Sequence, residues 1–266
     1  MKIIDSEIGL AMKITIAFIV PPVLLFLGKH PIAENYDLSS QRILGSGAAP
    51  LTKYLVDAVY QRIKMPVKQG YSLSETSPAT HNIAAKYMSY DEKAVPVGQT
   101  GELWLKDPNV FLGYLNNPAG AKNALTEDSY FRTRDVGQQD KNGDFYITDR
   151  IKELIKYKGF QVAAAELEGL LLGHHGIDVA VIGVYEKTRA IEVPRAYIVP
   201  KQGIEATPEM GTSIIQWFNA CVAAHKQLRG GVRFVDVVPK SAAGKILRRI
   251  LVDKAKQEAE TIQSKL

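Results

Sequence analysis

Lys245 stands at the end of a small-residue loop, Pro239-Lys240-Ser241-Ala242-Ala243-Gly244-Lys245, directly before a charged amphipathic stretch. A flexible ammonium at such a tip can neutralise charge developing on a phosphate during transfer. The alternative is a solvated lysine near a helix start, which is mildly unfavourable against the helix dipole. A second loop, Gln69-Gly70-Tyr71-Ser72-Leu73-Ser74-Glu75-Thr76, mixes glycine, hydroxyls and one carboxylate. Tyr71 can stack on a base, Ser74 can hold a phosphate oxygen, and Glu75 can offer Mg2+ a hard oxygen ligand. The same residues also suit a polar turn with Ser74 or Thr76 as a helix cap. In Arg132-Thr133-Arg134-Asp135-Val136-Gly137, taken with Asp149-Arg150, a carboxylate can accept both hydroxyls of a ribose and an arginine can hold a hydroxyl or phosphate. The alternative there is a surface ion pair of little worth. Finally, Asp149–Phe160 packs six charged residues around short apolar runs and breaks at Gly159. Such charges serve solubility on a surface helix, or chemistry in a linker that swings about a nucleotide.

Regular elements must position these loops. The apolar run Ile14–Leu27 suits a buried strand that meets Pro21-Pro22, then a short helix. Next come a strand at Arg42–Leu44, a Gly-Ser-Gly turn, a helix near Leu51–Ile63 with Pro50 at its start, and a strand near Val67. Gly101–Lys106 has strand alternation, and the turn Asp140–Asp144 joins Gly137–Gln139 to Phe145–Thr148 as a hairpin. Beyond Arg150 the pattern predicts a helix over Ala163–Leu172 stopping at Gly173, strands at Asp178–Val184, Arg195–Val199 and Val232–Val238, and helices over Thr212–Ala224 and Ile246–Gln263. Trp217, Phe218 and Cys221 fall on the expected buried side of the Thr212–Ala224 helix. The fold class is α/β. Its domain boundary is expected near Thr148–Lys152, giving domains over 1–149 and 150–266, the latter a small α+β domain.

Composition narrows the partners. The 266 residues are 46% hydrophobic and 23% charged with a net charge of +5, which suits an anionic small molecule. The basic residues are scattered and form no nucleic-acid reading module, so no nucleic-acid partner is expected. The single cysteine, Cys221, excludes a disulfide framework and a cysteine metal site; a reduced compartment and a buried thiol are expected. Ile14–Leu27 is shorter than the roughly 20 apolar residues of a membrane helix and is interrupted by prolines, so no transmembrane segment is expected. The last three residues, Ser264-Lys265-Leu266, match the tripeptide read by the peroxisomal import receptor, so localisation in the peroxisome is expected.

Together, Val20-Pro21-Pro22, Ser46-Gly47-Ala48-Ala49-Pro50-Leu51, Gly70–Thr76, Gly101-Glu102-Leu103-Trp104, Gly113-Tyr114-Leu115-Asn116, Asp149–Gln161 and Pro239–Arg249 resemble, in order, the motifs of the adenylate-forming superfamily. The resemblance is strongest to the coumarate:CoA-ligase-like acyl-CoA ligases and covers nearly the whole chain. It implies a two-step ligase. A fatty or aromatic carboxylic acid attacks the α-phosphate of ATP to give an acyl-adenylate and pyrophosphate; a small C-terminal domain then rotates, and the thiol of coenzyme A displaces AMP.

The resemblance places Tyr71, Ser74, Asp135 and Arg150 at the nucleotide, Glu75 at Mg2+, Lys152 at the hinge and Lys245 in adenylation. Lys156, Lys158, Gly159 and Gln161 serve the coenzyme A step. It further implies that residues 1–149 are the later, β-rich part of a larger N-terminal α/β domain, because the family's Gly/Ser/Thr-rich phosphate loop with its lysine is absent from residues 1–40. A catalytically inactive pseudoenzyme or interaction protein is the alternative. Fungal relatives ending in Ser-Lys-Leu suggest secondary-metabolite or toxin biosynthesis. Arg134 stands where the family has glycine, which predicts strain if φ is positive there, and Ala164 replaces a helix-starting proline.

Overall fold

The computed structural model describes residues 13–47, 51–77, 84–172, 178–186, 189–200, 203–241 and 244–263. Gly173 and the terminal Ser264, Lys265 and Leu266 lie outside the described residues. The chain divides into two compact units. The first holds the described chain up to Ser74 and the loop from Lys240 to Lys245; the second holds Glu75–Ser77, the described chain from residue 84 to Pro239, and Ile246 onward.

In the first unit, β1 (Ile16–Ile19), β2 (Ile43–Ser46) and β3 (Val67–Gln69) form a parallel sheet in the order β1-β2-β3. Two helices, α1 (Pro21–Lys29) and α2 (Lys53–Ile63), supply its core. Pro21 and Pro22 occupy the first turn of α1, where proline's fixed φ fits and its missing N–H breaks no helical bond. Leu24 and Leu27, one turn apart, pack with Leu44 of β2 and with Leu55 and Val59 of α2. The Thr52 hydroxyl caps α2 by accepting from the Leu55 N–H, and Lys64 ends the helix in the left-handed conformation.

The second unit opens with an antiparallel sheet of β4 (Ala84–Met88), β5 (Gly101–Lys106), β6 (Phe131–Gln139) and β7 (Phe145–Arg150), in that order. The register shifts between Val136 and Gly137, and a Cβ on Gly137 would lie 1.8 Å from the Tyr146 carbonyl oxygen. Only glycine allows that approach. Helix α3 (Pro118–Ala124) is capped by the Asn117 side chain. The ribbon β8 (Ile155–Tyr157) and β9 (Phe160–Val162) leads into α4 (Ala164–Leu172).

A mixed sheet follows. β10 (Asp178–Glu186) pairs antiparallel with β11 (Ile191–Val199), which pairs parallel with β12 (Val232–Phe234). Val179, Val181, Ala196 and Ile198 pack with Leu167 and Leu171 of α4 and with Ile214 and Phe218 of α5 (Pro208–Cys221). Their alternates Ala180, Ile182 and Tyr197 pack with Leu251 and Ala255 of α6 (Arg248–Gln263). Burial on both faces explains why Asp178–Val184 is continuously apolar.

The first division between the compact units falls after Ser74. At 149–165 the sheet and the α+β layer are bonded together: the Ala165 N–H donates to Asp149 Oδ2 at 3.2 Å, and Val136, Leu154 and Ala163 share a core. Cys221 corrects an expectation. It is exposed, because it is the last residue of α5, where the chain leaves the core that encloses Phe218. The strand expected to reach Val238 stops at Phe234.

Candidate functional site

The first unit gathers its motifs at the carboxyl ends of β1, β2 and β3, the edge at which open parallel sheets bind ligands. The Gly70 N–H donates to the Ser46 carbonyl at 2.8 Å, and a Cβ on Gly47 would lie 2.8 Å from the Gly70 oxygen. The loops after β2 and β3 thus run backbone against backbone. The Lys245 loop belongs to the same unit. Gly244 has φ +81, and a Cβ there would lie 2.4 Å from Pro22 Cγ, so the loop lies against the start of α1. The loop closes on itself: Ser241 N–H donates to the Lys245 carbonyl at 2.8 Å and Gly244 N–H to the Ser241 carbonyl at 2.9 Å, while Lys245 N–H donates to Ser241 Oγ at 3.2 Å. Lys245 is therefore presented from a built turn. Tyr71 is half-buried and Ser74 exposed, both in this unit.

The second unit carries Glu75, Asp135 and Arg150. Thr133, fully engaged beneath the sheet, donates its hydroxyl to the Leu103 carbonyl at 2.7 Å and accepts the Asp135 N–H at 3.0 Å. Asp135 and Arg150 are cross-strand partners, and Arg150 Nε donates to Asp135 Oδ1 at 2.7 Å. Asp135 is buried while the Arg150 side chain is 42% exposed. Arg134 has φ +62, so the predicted strain is present. Its N–H donates to Glu102 Oε1 at 3.0 Å, its guanidinium to the Asn123 carbonyl at 3.2 Å, and its carbonyl accepts the Ile151 N–H at 2.9 Å. These bonds hold a backbone conformation that glycine would adopt freely.

Glu75 is held by the loop that follows β5. Its carbonyl accepts the Phe111 N–H at 2.8 Å, the neighbouring Thr76 carbonyl accepts from Asn109 Nδ2 at 2.8 Å, and its carboxylate accepts from the Tyr114 hydroxyl at 2.9 Å. Burial pushes the Tyr114 hydroxyl's pKa up, and the bond to Glu75 pushes it further, while Arg150 and Arg134 pull it down. Glu75, Tyr114, Arg134 and Arg150 therefore share one electrostatic neighbourhood. Nothing in the run Gly113-Tyr114-Leu115-Asn116 signals that Tyr114 partners Glu75.

Among the described residues no three His, Cys, Asp or Glu side chains converge as a metal cage. A single carboxylate such as Glu75 fits Mg2+, which is commonly held by one or two carboxylates together with substrate phosphates. Lys152 is exposed in a tight turn whose Glu153 and Leu154 N–H groups both donate to the Arg150 carbonyl, at 2.8 and 3.0 Å. Lys156 and Gln161 face each other across β8 and β9, with Lys158 (φ +47) and Gly159 (φ +84) at the tip. All four are exposed.

The AMP-binding enzyme family matches residues 10–94, and the AMP-binding enzyme C-terminal domain matches residues 166–245. A probable 4-coumarate–CoA ligase 2 of Dictyostelium discoideum is 39% identical, over 91% of this chain and 47% of its own length. The chain thus spans about half the length of that relative. A 4-coumarate–CoA ligase 1 of Glycine max is 38% identical, over 90% of this chain and 89% of its own length. ATP-bound MatB from Rhodopseudomonas palustris superposes with a TM-score of 0.85 at 25% identity, over 95% of this chain and 53% of that one. With its motifs in order and placed at one sheet edge and one hairpin, the chain belongs to the adenylate-forming AMP-binding enzyme family, in its 4-coumarate–CoA ligase group.

Proposed function

We propose that this chain serves ATP-dependent ligation of a fatty or aromatic carboxylic acid to coenzyme A. The observation that carries the reading is the turn that presents Lys245 against Pro22, in the unit that holds the carboxyl ends of the parallel strands. In the first step a carboxylate oxygen bonds to the α-phosphorus, the bond to the β-phosphate breaks, and pyrophosphate leaves. Lys245 offsets the charge that grows on the phosphate. Tyr71 and Ser74 contact base and phosphate, and Asp135 and Arg150 take the ribose hydroxyls. Glu75, oriented by Tyr114, would hold Mg2+, which supplies charge neutralisation when bound. In the second step the coenzyme A thiol loses its proton and its sulfur bonds to the acyl carbon as AMP departs.

Residues 150–266 form the mobile C-terminal domain in this reading. Lys152 is its pivot, since a turn of a few residues can absorb such a rotation. Lys156, Lys158, Gly159 and Gln161 serve the second step from an exposed ribbon. Ser264-Lys265-Leu266 supports recognition by the peroxisomal import receptor and work in the peroxisome; with the family resemblance it supports a role in secondary metabolism of the fungal type.

A second reading is an inactive interaction protein. Pyrophosphate exchange into ATP with a panel of acids separates the two. Exchange with any acid supports the ligase, and none with folded protein supports the inactive form.

A further inference from the structure

A buried ionic cluster in the second unit is unused by the reaction just described. Arg248, the first residue of α6, has a side chain only 11% exposed. Its Nη2 donates to Glu168 Oε2 at 2.7 Å, its Nη1 pairs closely with the Glu153 carboxylate, and its Nε donates to the Val181 carbonyl at 3.3 Å. Glu168 Oε1 accepts the Val181 N–H at 2.8 Å. Asp149, also buried, acts electrostatically on both Arg248 and Glu168.

One guanidinium thus faces three carboxylates. Burying such charges is expensive, and a packed apolar cluster often holds a fold as well or better. The placement of the cluster suggests why it is here. Glu153 follows Lys152 in the turn after β7, and Arg248 lies three residues after Lys245. Between Lys245 and Arg248, the Leu247 N–H donates to the Pro239 carbonyl at 2.9 Å and pinches the neck of the lysine loop.

We infer that Arg248 is a positioning residue for Lys245: it clasps the neck of the lysine loop to Glu153 in the turn after β7 and to Glu168 of α4. The inference rests on the proposed role of Lys245.

Hydrogen exchange on the whole chain tests the clasp without reference to activity. Arg248→Met should speed exchange at the amides of Gly244–Leu247 and Glu153–Ile155 by about tenfold or more, while β5 and β6 keep wild-type protection. If that variant does not fold, the triple variant Arg248→Met, Glu153→Gln, Glu168→Gln removes the stranded charges and should fold with the same two segments loosened. Wild-type protection at the loop in either folded variant, or equal loosening everywhere, overturns the inference.

Pyrophosphate exchange adds a second arm. Arg248→Met should lower kcat about 100-fold with the KM for ATP little changed, as expected for a misplaced catalytic group. If Lys245→Ala abolishes exchange and Arg248→Met leaves kcat intact, the clasp is refuted and the ligase reading stands. If Lys245→Ala changes nothing, the role of Lys245 fails, and with it the positioning claim.

Discussion

The Tyr114 hydroxyl donates to the Glu75 carboxylate at 2.9 Å, joining loops 39 residues apart. A carboxylate that is to hold a cation gains orientation from such a partner, and outer-shell partners of this kind are commonly worth 10–100-fold in metal affinity. Tyr114→Phe removes only the hydroxyl. Mg2+ binding in the presence of ATP, followed by calorimetry, should weaken about tenfold, with the unfolding midpoint almost unmoved. Equal affinity in the two proteins would show that Tyr114 serves packing alone.

Arg134 occupies φ +62, a conformation glycine takes without strain. Arg134→Ala keeps the strain and the backbone N–H bond to Glu102 but loses the guanidinium's contacts with Asn123 and the Glu102 carboxylate. Arg134→Gly loses the same contacts and releases the strain. In denaturant titrations the glycine variant should be more stable than the alanine variant by about 1 kcal/mol. Alanine equal to glycine would mean that the backbone there relaxes.

Glu168 gives the fold a pH dependence. Burial pushes its carboxyl up from 4.5 to about 7, against the pull of Arg248 on α6 and with a push from Asp149 on β7. Asp149 is itself raised, again by burial first. Between pH 4.5 and about 7 the folded protein keeps a proton at Glu168 that the unfolded chain has released. Stability from this group is therefore fully present below the window and is lost as pH rises through it. The loss should be on the order of 1–3 kcal/mol. Urea unfolding at pH 5 and pH 8 measures it. Glu168→Gln should flatten the difference, and a wild-type protein more stable at pH 8 than at pH 5 would contradict the assignment.

The terminal tripeptide makes a separate claim about address. A fluorescent protein fused ahead of the chain should reach peroxisomes, and deletion of Leu266 should leave it in the cytosol. Continued import after the deletion would remove that claim.

The strand at Gly101–Lys106 and the hairpin at Asp140–Asp144 were legible in the sequence, because turn residues bound short alternating runs. For Asp135 and Arg150 the sequence offers a ribose site or a surface ion pair, and the burial of Asp135 shows only in the fold. Helix α3 was not legible: Pro118–Ala124 carries no apolar stripe and buries only Ala124, so its Asn117 cap is its main signal. The ribbon of β8 and β9 hid within the charged stretch, where Ile155, Tyr157 and Val162 are too few to show a period. Cys221 was misread because helical periodicity carried past the point where the helix leaves the core. Arg248 meets Glu168 and Glu153 across 80 and 95 residues, separations at which only the folded chain reveals a partner.

Lys245 is proposed to drive adenylate formation. Pyrophosphate exchange into ATP, measured with Mg2+ and a panel of fatty and aromatic acids, reads that step. Acid-dependent exchange is expected in the wild-type chain, with a fall of about 100-fold or more in Lys245→Ala and both proteins folded. Exchange at the same rate in Lys245→Ala, or none with any acid in folded wild-type protein, would contradict it.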